Sequence, residues 1–121
     1  MLVKEIIQNF YVGLAQKNDE WQKNLSEDIV FSDASKKLHA EGRGAFIQSF
    51  STFLRAVENV RVMQLIVEES NACAVVSYEY VSPNGDKLHQ DDAEVWKVVE
   101  GKIVALTIYF DITEFRNFMG R

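Results

Sequence analysis

Four side chains in this sequence have types and settings suited to moving a proton: Tyr11, Asp33, Glu94 and Asp111. Asp33 ends a short apolar run, IVFSD, where alternation puts it on the same face as Phe31. Held among apolar groups, its carboxyl is expected to titrate above its ordinary value. That suits a base that takes a proton from carbon beside a carbonyl. The other reading is a loop aspartate that caps a turn with its own backbone. Tyr11 falls on the apolar stripe of a helical segment, so its ring is expected to be buried and its hydroxyl to need a partner. That partner is either a backbone carbonyl of the core or an oxyanion developing on a ligand. Asp92, Glu94 and Trp96 alternate along one strand candidate and share a face with Val98. This face is expected to be the interior, with Glu94 a buried acid that, when protonated, donates a hydrogen bond to a ligand oxygen. Asp92 competes for that place, and both acids have the alternative of a wet mouth or of pairing with Arg43 or a lysine. Asp111 is either a further acid or polar anchor, facing inward with Thr107 and Tyr109, or a cap for the last helical turn.

The remaining reactive types point elsewhere. His39 lies in a polar loop and His89 faces away from Glu94, each apart from any ligand set, so both are expected in solvent and no metal site is expected. Cys73 is the single cysteine; it can form neither an internal disulfide nor a cysteine-based zinc site. No basic neighbour lowers its pKa, which excludes a catalytic thiolate. Thirteen Lys and Arg against eighteen Asp and Glu give a net charge of −5, with no basic block, and nucleic-acid binding is excluded on that balance. The charge-free stretches 6–16 and 44–54 fall well short of the roughly 20 residues that span a bilayer. Lys4 and Glu5 interrupt the start, against a signal peptide, and a cytoplasmic protein is expected.

The elements that must position these groups follow from periodicity. With 121 residues, 47% hydrophobic and 26% charged, the chain has the size and composition of one folded domain, 1–121. Residues 2–17 place Leu2, Val3, Ile6, Ile7, Phe10, Tyr11 and Leu14 on one helical stripe. A short helix capped by Asp19 follows through Leu25. Next come a strand at 29–33, a polar loop at 34–44 and a helix at 45–57, the last carrying Phe46, Phe50 and Phe53 at helical spacing. From Val60 the pattern turns to strands, at 60–69, 72–82, 86–99 and 102–111, separated by hairpin-length turns. Thr113 is expected to cap a last turn at 114–119. Helices, one strand, a helix and a four-strand antiparallel meander make an α+β domain, with helices on one face of a curved sheet. In IVALTIYFD both faces are apolar, one with Val104, Leu106, Ile108 and Phe110, the other with Ile103, Ala105, Thr107, Tyr109 and Asp111. Helices cover only one face, so the outer one is expected to form a homodimer interface.

Four segments in order, FYVGLAQKND, DIVFSD, EGRGAFIQSF and EVWKVVEGKIVALTIYFD, resemble the family of nuclear transport factor two, ketosteroid isomerase, limonene epoxide hydrolase and the SnoaL-type polyketide cyclases. The resemblance runs over nearly the whole chain. It implies a cone-shaped curved antiparallel sheet wrapped by N-terminal helices around a deep apolar pocket, usually dimeric through the sheet. Aligned with ketosteroid isomerase, the oxyanion-hole tyrosine falls on Tyr11 and the base on Asp33. The second oxyanion-hole acid falls on Glu94, or on Asp92 if the gap is placed differently. Asp33 is followed by Ala34 and Ser35 rather than proline, which counts against a steroid substrate. Aligned with limonene epoxide hydrolase, YFDITEF matches and one catalytic aspartate falls on Asp111. Its other aspartate and its arginine fall on Ser77 and Val75, which excludes epoxide hydrolysis. The family contains enzymes and pure binding proteins. The resemblance therefore implies a small hydrophobic, carbonyl-bearing ligand, with no cofactor and no metal. That ligand would be isomerised or cyclised by proton transfer; the alternative is a non-catalytic module of the same fold that binds a hydrophobic ligand or another protein. Phe31, Phe50, Phe53, Trp96 and Tyr109 are the expected pocket wall.

Overall fold

The computed structural model describes residues 2–120. Three helices, α1 (Val3–Gln16), α2 (Arg43–Leu54) and α3 (Ile112–Met119), combine with six strands. These are β1 (Leu25–Asp33), β2 (His39–Glu41), β3 (Val57–Glu68), β4 (Asn71–Val81), β5 (Lys87–Val99) and β6 (Lys102–Tyr109). They form one sheet in the order β2-β1-β6-β5-β4-β3. The antiparallel meander runs from β3 to β6 as its hairpin turns require. At the β5–β6 turn both Glu100 and Gly101 have positive φ, 50° and 78°, as in the two-residue turns that suit the twist of paired strands. The sheet is mixed, because β1 joins β6 in parallel, Phe31 opposite Leu106 and Asp33 opposite Ile108.

Several boundaries move from those expected, each for a local reason. The second short helix is a 3₁₀ turn, Asp19–Gln22, capped by Asn18, whose side chain accepts from Glu20 N at 3.0 Å. Leu25 already belongs to β1, and the loop at 34–44 contains β2, which pairs with β1. Asp111, not Thr113, caps α3, its carboxylate accepting from Glu114 N at 2.9 Å.

Strand alternation decides which side chains enter the core. Ala72, Ala74, Val76, Tyr78 and Tyr80 of β4 point inward, with Gln90, Asp92, Glu94, Trp96 and Val98 of β5, and all are buried. A register shift in the β5–β6 pairing after Lys97 turns Ile103 inward while Leu106 and Ile108 share its side. Ala105, Thr107 and Tyr109 consequently face outward, and Tyr109, 51% exposed, is not part of an inner pocket wall. Over the inner face lies an aromatic cluster. Phe46 and Phe50 stack at 5.3 Å and 6°, Phe10 sits edge-on to Trp96 at 4.6 Å, and Phe53 meets Tyr78 and Tyr80. Phe31 and Phe50 belong to this packed core.

Gly13 is where α1 and the 3₁₀ turn approach most closely. A Cβ there would lie 2.6 Å from the backbone N of Trp21 and 3.1 Å from its Cα. Backbone cannot yield as a side-chain tip can, so Gly13→Ala is expected to destabilise the domain by about 1–3 kcal/mol. Chemical denaturation checks this, and an unchanged midpoint would contradict the packing described.

Candidate functional site

The inner face of β5 should read as a hydrophobic strand, but Gln90, Asp92 and Glu94 replace apolar residues at three successive inward positions. Glu94 is wholly buried. Tyr11, carried by the apolar stripe of α1, donates its hydroxyl to Glu94 Oε1. Tyr78 on β4 donates to Oε2 at 2.8 Å, and the Trp96 indole N–H donates to the Tyr11 oxygen at 3.0 Å. A chain of hydrogen bonds thus runs from Trp96 through Tyr11 and Glu94 to Tyr78, walled from water by aromatic rings. Burial pushes the Glu94 carboxyl up to about 7, against the opposing pull of the two tyrosine hydrogen bonds. Burial, then the Glu94 charge, holds Tyr11 and Tyr78 well above the usual phenol range.

Asp92 is the contrasting case. It is also buried, 1% exposed, yet neither carboxylate oxygen has a hydrogen-bond partner among the described residues. Burial, then the charges of Glu94 and Asp91, raise it to about 8. The Tyr80 hydroxyl and Gln90 Oε1 are buried too and have no partner among the described residues. The Gln90 amide nitrogen is committed elsewhere, donating to the Asp111 carbonyl at 3.0 Å and to Glu114 Oε1 at 2.8 Å.

Asp33 also lies on the inner face. It sits opposite Ile108 on one side of β6, as Glu94 does on the other. Two strand spacings put their Cα atoms roughly 10 Å apart. The expected rise in its pKa is not found. Burial pushes the carboxyl up, but Leu38 N donates to Oδ1 at 2.7 Å, and Ser35 donates to Oδ2 from its hydroxyl and from its backbone N at 2.9 Å. Together these hold Asp33 below the ordinary carboxylate range. It is ionised at neutral pH and organises the turn after β1, which is the turn-capping alternative of the sequence.

The fold thus gathers Tyr11, Glu94, Asp92, Trp96 and Asp33 on one side of the sheet and leaves two expected residues out. Tyr109 is on the outer face, and Asp111 is an exposed helix cap. Tyr78, Tyr80 and Gln90 went unrecognised in the sequence. The signal for the tyrosines was their period-two spacing in YEYV on a strand next to the acids. His89, half exposed, lies outside with Asp91, Glu79 and Ser77, and His39 pairs with Glu41. No group of three or more potential ligands able to hold a metal occurs among the described residues. Aromatic side chains surround Glu94: Tyr11 and Tyr78 bond to it, and the Trp96 ring packs against Phe10 and Tyr11. A groove of about 660 Å³ between α1 and β3 is lined by Tyr11, Val12, Val60 and Leu65. A second, about 350 Å³, runs past Leu14, Trp21 and Leu54.

Comparison with known proteins agrees with this architecture. A family profile described as the SnoaL-like domain matches residues 7–106. Comparison with curated protein sequences gives no match. Among solved structures, a putative SnoaL-like polyketide cyclase from Jannaschia sp. CCS1 superposes with a TM-score of 0.83 at 14% identity, over 97% of this chain and 90% of that one. TerC, crystallised with polyporic acid, gives 0.81 at 15% identity over 98% of both chains. A protein with a ketosteroid isomerase-like fold from Catenulispora acidiphila, in complex with trimethylamine, gives 0.77 at 13% identity, over 96% and 92%. At these identities the likeness establishes the fold.

The raised carboxyls make stability depend on pH with a definite sign. The folded state keeps protons on Asp92 and Glu94 that the unfolded chain releases near 3.8 and 4.5, holding them up to about 8 and about 7. Their contribution is complete below the lower values and is lost as pH rises through the upper ones. His89, raised chiefly by its hydrogen bond to Asp91, adds in the same direction from the surface. Asp33 acts oppositely, but only at acid pH. Melting temperature is therefore expected to fall from about pH 5 to about pH 8, by an amount on the order of a few kcal/mol in stability. Asp92→Asn should flatten that slope and His89→Gln should leave most of it. A slope of opposite sign, or one indifferent to Asp92→Asn, would contradict the buried-acid description.

Proposed function

The chain belongs to the SnoaL-like domain family, and from that premise we propose that it binds an apolar, carbonyl-bearing small molecule and catalyses proton transfer on it without a cofactor, in isomerase or cyclase fashion. The observation that carries the reading is the hydrogen-bonded chain Trp96–Tyr11–Glu94–Tyr78, two strands from an ionised Asp33 on the same inner face. No helix among the described residues is long and apolar enough to cross a membrane, and we place the protein in the cytoplasm, where the lone Cys73 stays reduced.

In this mechanism the Asp33 carboxylate takes a proton from the carbon next to the ligand carbonyl, and the C–H electron pair moves into the carbonyl as an enolate. The same proton is then delivered to another carbon of the conjugated system. In the cyclase case the enolate carbon instead attacks a second carbonyl of the same molecule, whose π pair becomes an alkoxide that takes the proton back from Asp33. Glu94 governs the oxyanion site. When ionised, it holds the Tyr11 proton for itself. When protonated, it can donate to the Tyr11 oxygen, which already accepts from Trp96, and free the Tyr11 proton for the ligand. A carboxyl raised to about 7 reaches both states near neutrality. The α1–β3 groove, whose lining includes Tyr11, is the entry in this reading.

The test is exchange of α-protons in deuterated water over a panel of enolisable bicyclic ketones and lactones that raise the melting temperature. Exchange is expected with at least one binder. Asp33→Asn should slow it by roughly 10²–10⁴-fold and Tyr11→Phe by roughly 10²-fold. Binders that never exchange would make the protein a ligand-binding member of the family, a reading that the hydrogen-bonded Asp33 already favours. Exchange unaffected by Asp33→Asn would remove the base.

The partner of the outer sheet face, in the same proposal, is a second copy of this chain. Ile66, Cys73, Val95 and Thr107 form one row across four strands there, and Val75, Ala93 and Tyr109 the next. Met63 and Ile66 are over half exposed, and Val95 and Val99 are about two-fifths exposed, on a face that no helix covers. Sedimentation of the wild type is expected to show a dimer at micromolar concentration, and Val95→Asp a folded monomer. A wild type that sediments only as a monomer would contradict the dimer.

A further inference from the structure

We infer that Asp92, Tyr80 and Gln90 form a second polar subsite on the inner face, built to take a hydroxyl group of the ligand: an alcohol, a phenol or an enol. The inference rests on the reading of this face as a ligand site but concerns a different end of it from Tyr11 and Glu94. Asp92 and Glu94 are two residues apart on β5, about 7 Å between Cα atoms. The Glu94 oxygens are both occupied, by Tyr11 and Tyr78, whereas the Asp92 oxygens, the Tyr80 hydroxyl and Gln90 Oε1 are all buried without a partner among the described residues. Burying one polar atom without a partner is costly, and burying four is a cost the fold alone does not require. Position 92 lies opposite Val76, so an apolar side chain would fit the same face. A ligand group that enters would remove the cost.

The donors and acceptors on offer identify that group. Tyr80 offers an O–H. The Gln90 nitrogen is committed to Asp111 and Glu114, which fixes the amide and leaves its oxygen as an acceptor. Tyr80 and Asp92 are both buried on the inner face, and of all charges Asp92 acts most strongly on the Tyr80 hydroxyl. A ligand carbonyl would use the donors and strand the Gln90 oxygen. An ammonium would use the acceptors and strand the Tyr80 proton. A hydroxyl accepts from Tyr80 and donates to Gln90 or Asp92, and so satisfies both kinds. The raised pKa of Asp92, about 8, keeps it neutral and suits it to a neutral hydroxyl. Around it, Tyr80 lies against Tyr78 at 5.7 Å and 14° and edge-on to Phe115 at 4.9 Å, walls that suit a flat ring bearing that hydroxyl.

The experiment compares 2-tetralone, 6-hydroxy-2-tetralone and 6-(aminomethyl)-2-tetralone, with calorimetric binding and α-proton exchange both read. The hydroxyl compound is expected to bind the wild type at least tenfold more tightly than 2-tetralone. Asp92→Val should bring that ratio to within twofold of unity. The free Asp92→Val protein is expected to melt about 4 °C higher, because a buried unpaired carboxyl has been removed. Equal affinity for the first two ketones in the wild type, preference for the ammonium compound, binding by none of the three, or a lower melting temperature in Asp92→Val overturns the subsite. Loss of exchange for 2-tetralone and the hydroxyl compound alike in Asp92→Val, with the affinity ratio unchanged, overturns it also and makes Asp92 an acid–base group. Hydroxyl-dependent binding without any exchange leaves the subsite standing and removes the proton-transfer reading. Exchange of 2-tetralone with no gain from the hydroxyl does the reverse.

Discussion

Three carboxyl groups, Asp33, Asp92 and Glu94, are buried on one face of a single sheet, and none of them forms an ion pair among the described residues. Three charges so placed could not all persist, because burial penalises each and every neighbour penalises the next. The structure resolves the conflict in three different ways. Asp33 keeps its charge by taking three hydrogen bonds from a tight turn. Glu94 is held between two tyrosine hydroxyls, so either protonation state finds a partner. Asp92 has neither remedy and is driven to the neutral form. Near neutral pH Asp33 is ionised, Asp92 is mostly neutral and Glu94 stands between the two states.

The rest of the domain serves that arrangement. Rings from α1, α2 and the inner strands exclude water and lower the local dielectric, which makes each hydrogen bond in the Tyr11–Glu94–Tyr78 chain count for more. The parallel β1–β6 pairing carries Asp33 onto the same face as Glu94, with Ile108 between them. Even the exposed Asp111 takes part at a distance. By capping α3 it fixes Glu114 and its own carbonyl, and these two hold the Gln90 amide in one orientation.

Part of this was legible in the sequence, because strand periodicity is an exact constraint: Asp92 and Glu94 share a face with the apolar Trp96 and Val98, which points inward, although a wet mouth or a pairing with Arg43 stayed open. The helical stripe placed Tyr11 in the core in the same way. Tyr109 was misplaced because a register shift between β5 and β6 changes which residues of β6 face inward, and nothing in IVALTIYFD announces it. The ionisation of Asp33 was misjudged because burial is visible in an apolar run, whereas donors from Ser35 and Leu38 depend on how the following turn folds. The partners of Glu94 were out of reach for a similar reason. Tyr11 is 83 residues away from it in the chain, and only the closed sheet brings them together.

The account depends most on the unequal ionisation of the three acids, and carboxyl-carbon NMR of the protein labelled at Asp and Glu side chains measures it directly. Asp92 and Glu94, assigned through Asp92→Asn and Glu94→Gln, should titrate far above the surface carboxyls, with midpoints near about 8 and about 7. Asp33 should keep its charge to below the ordinary value of 3.8. If Asp33 titrated near neutrality while Asp92 and Glu94 followed the surface carboxyls, base and acids would be wrongly assigned, and the chemistry drawn from this face would fall with them.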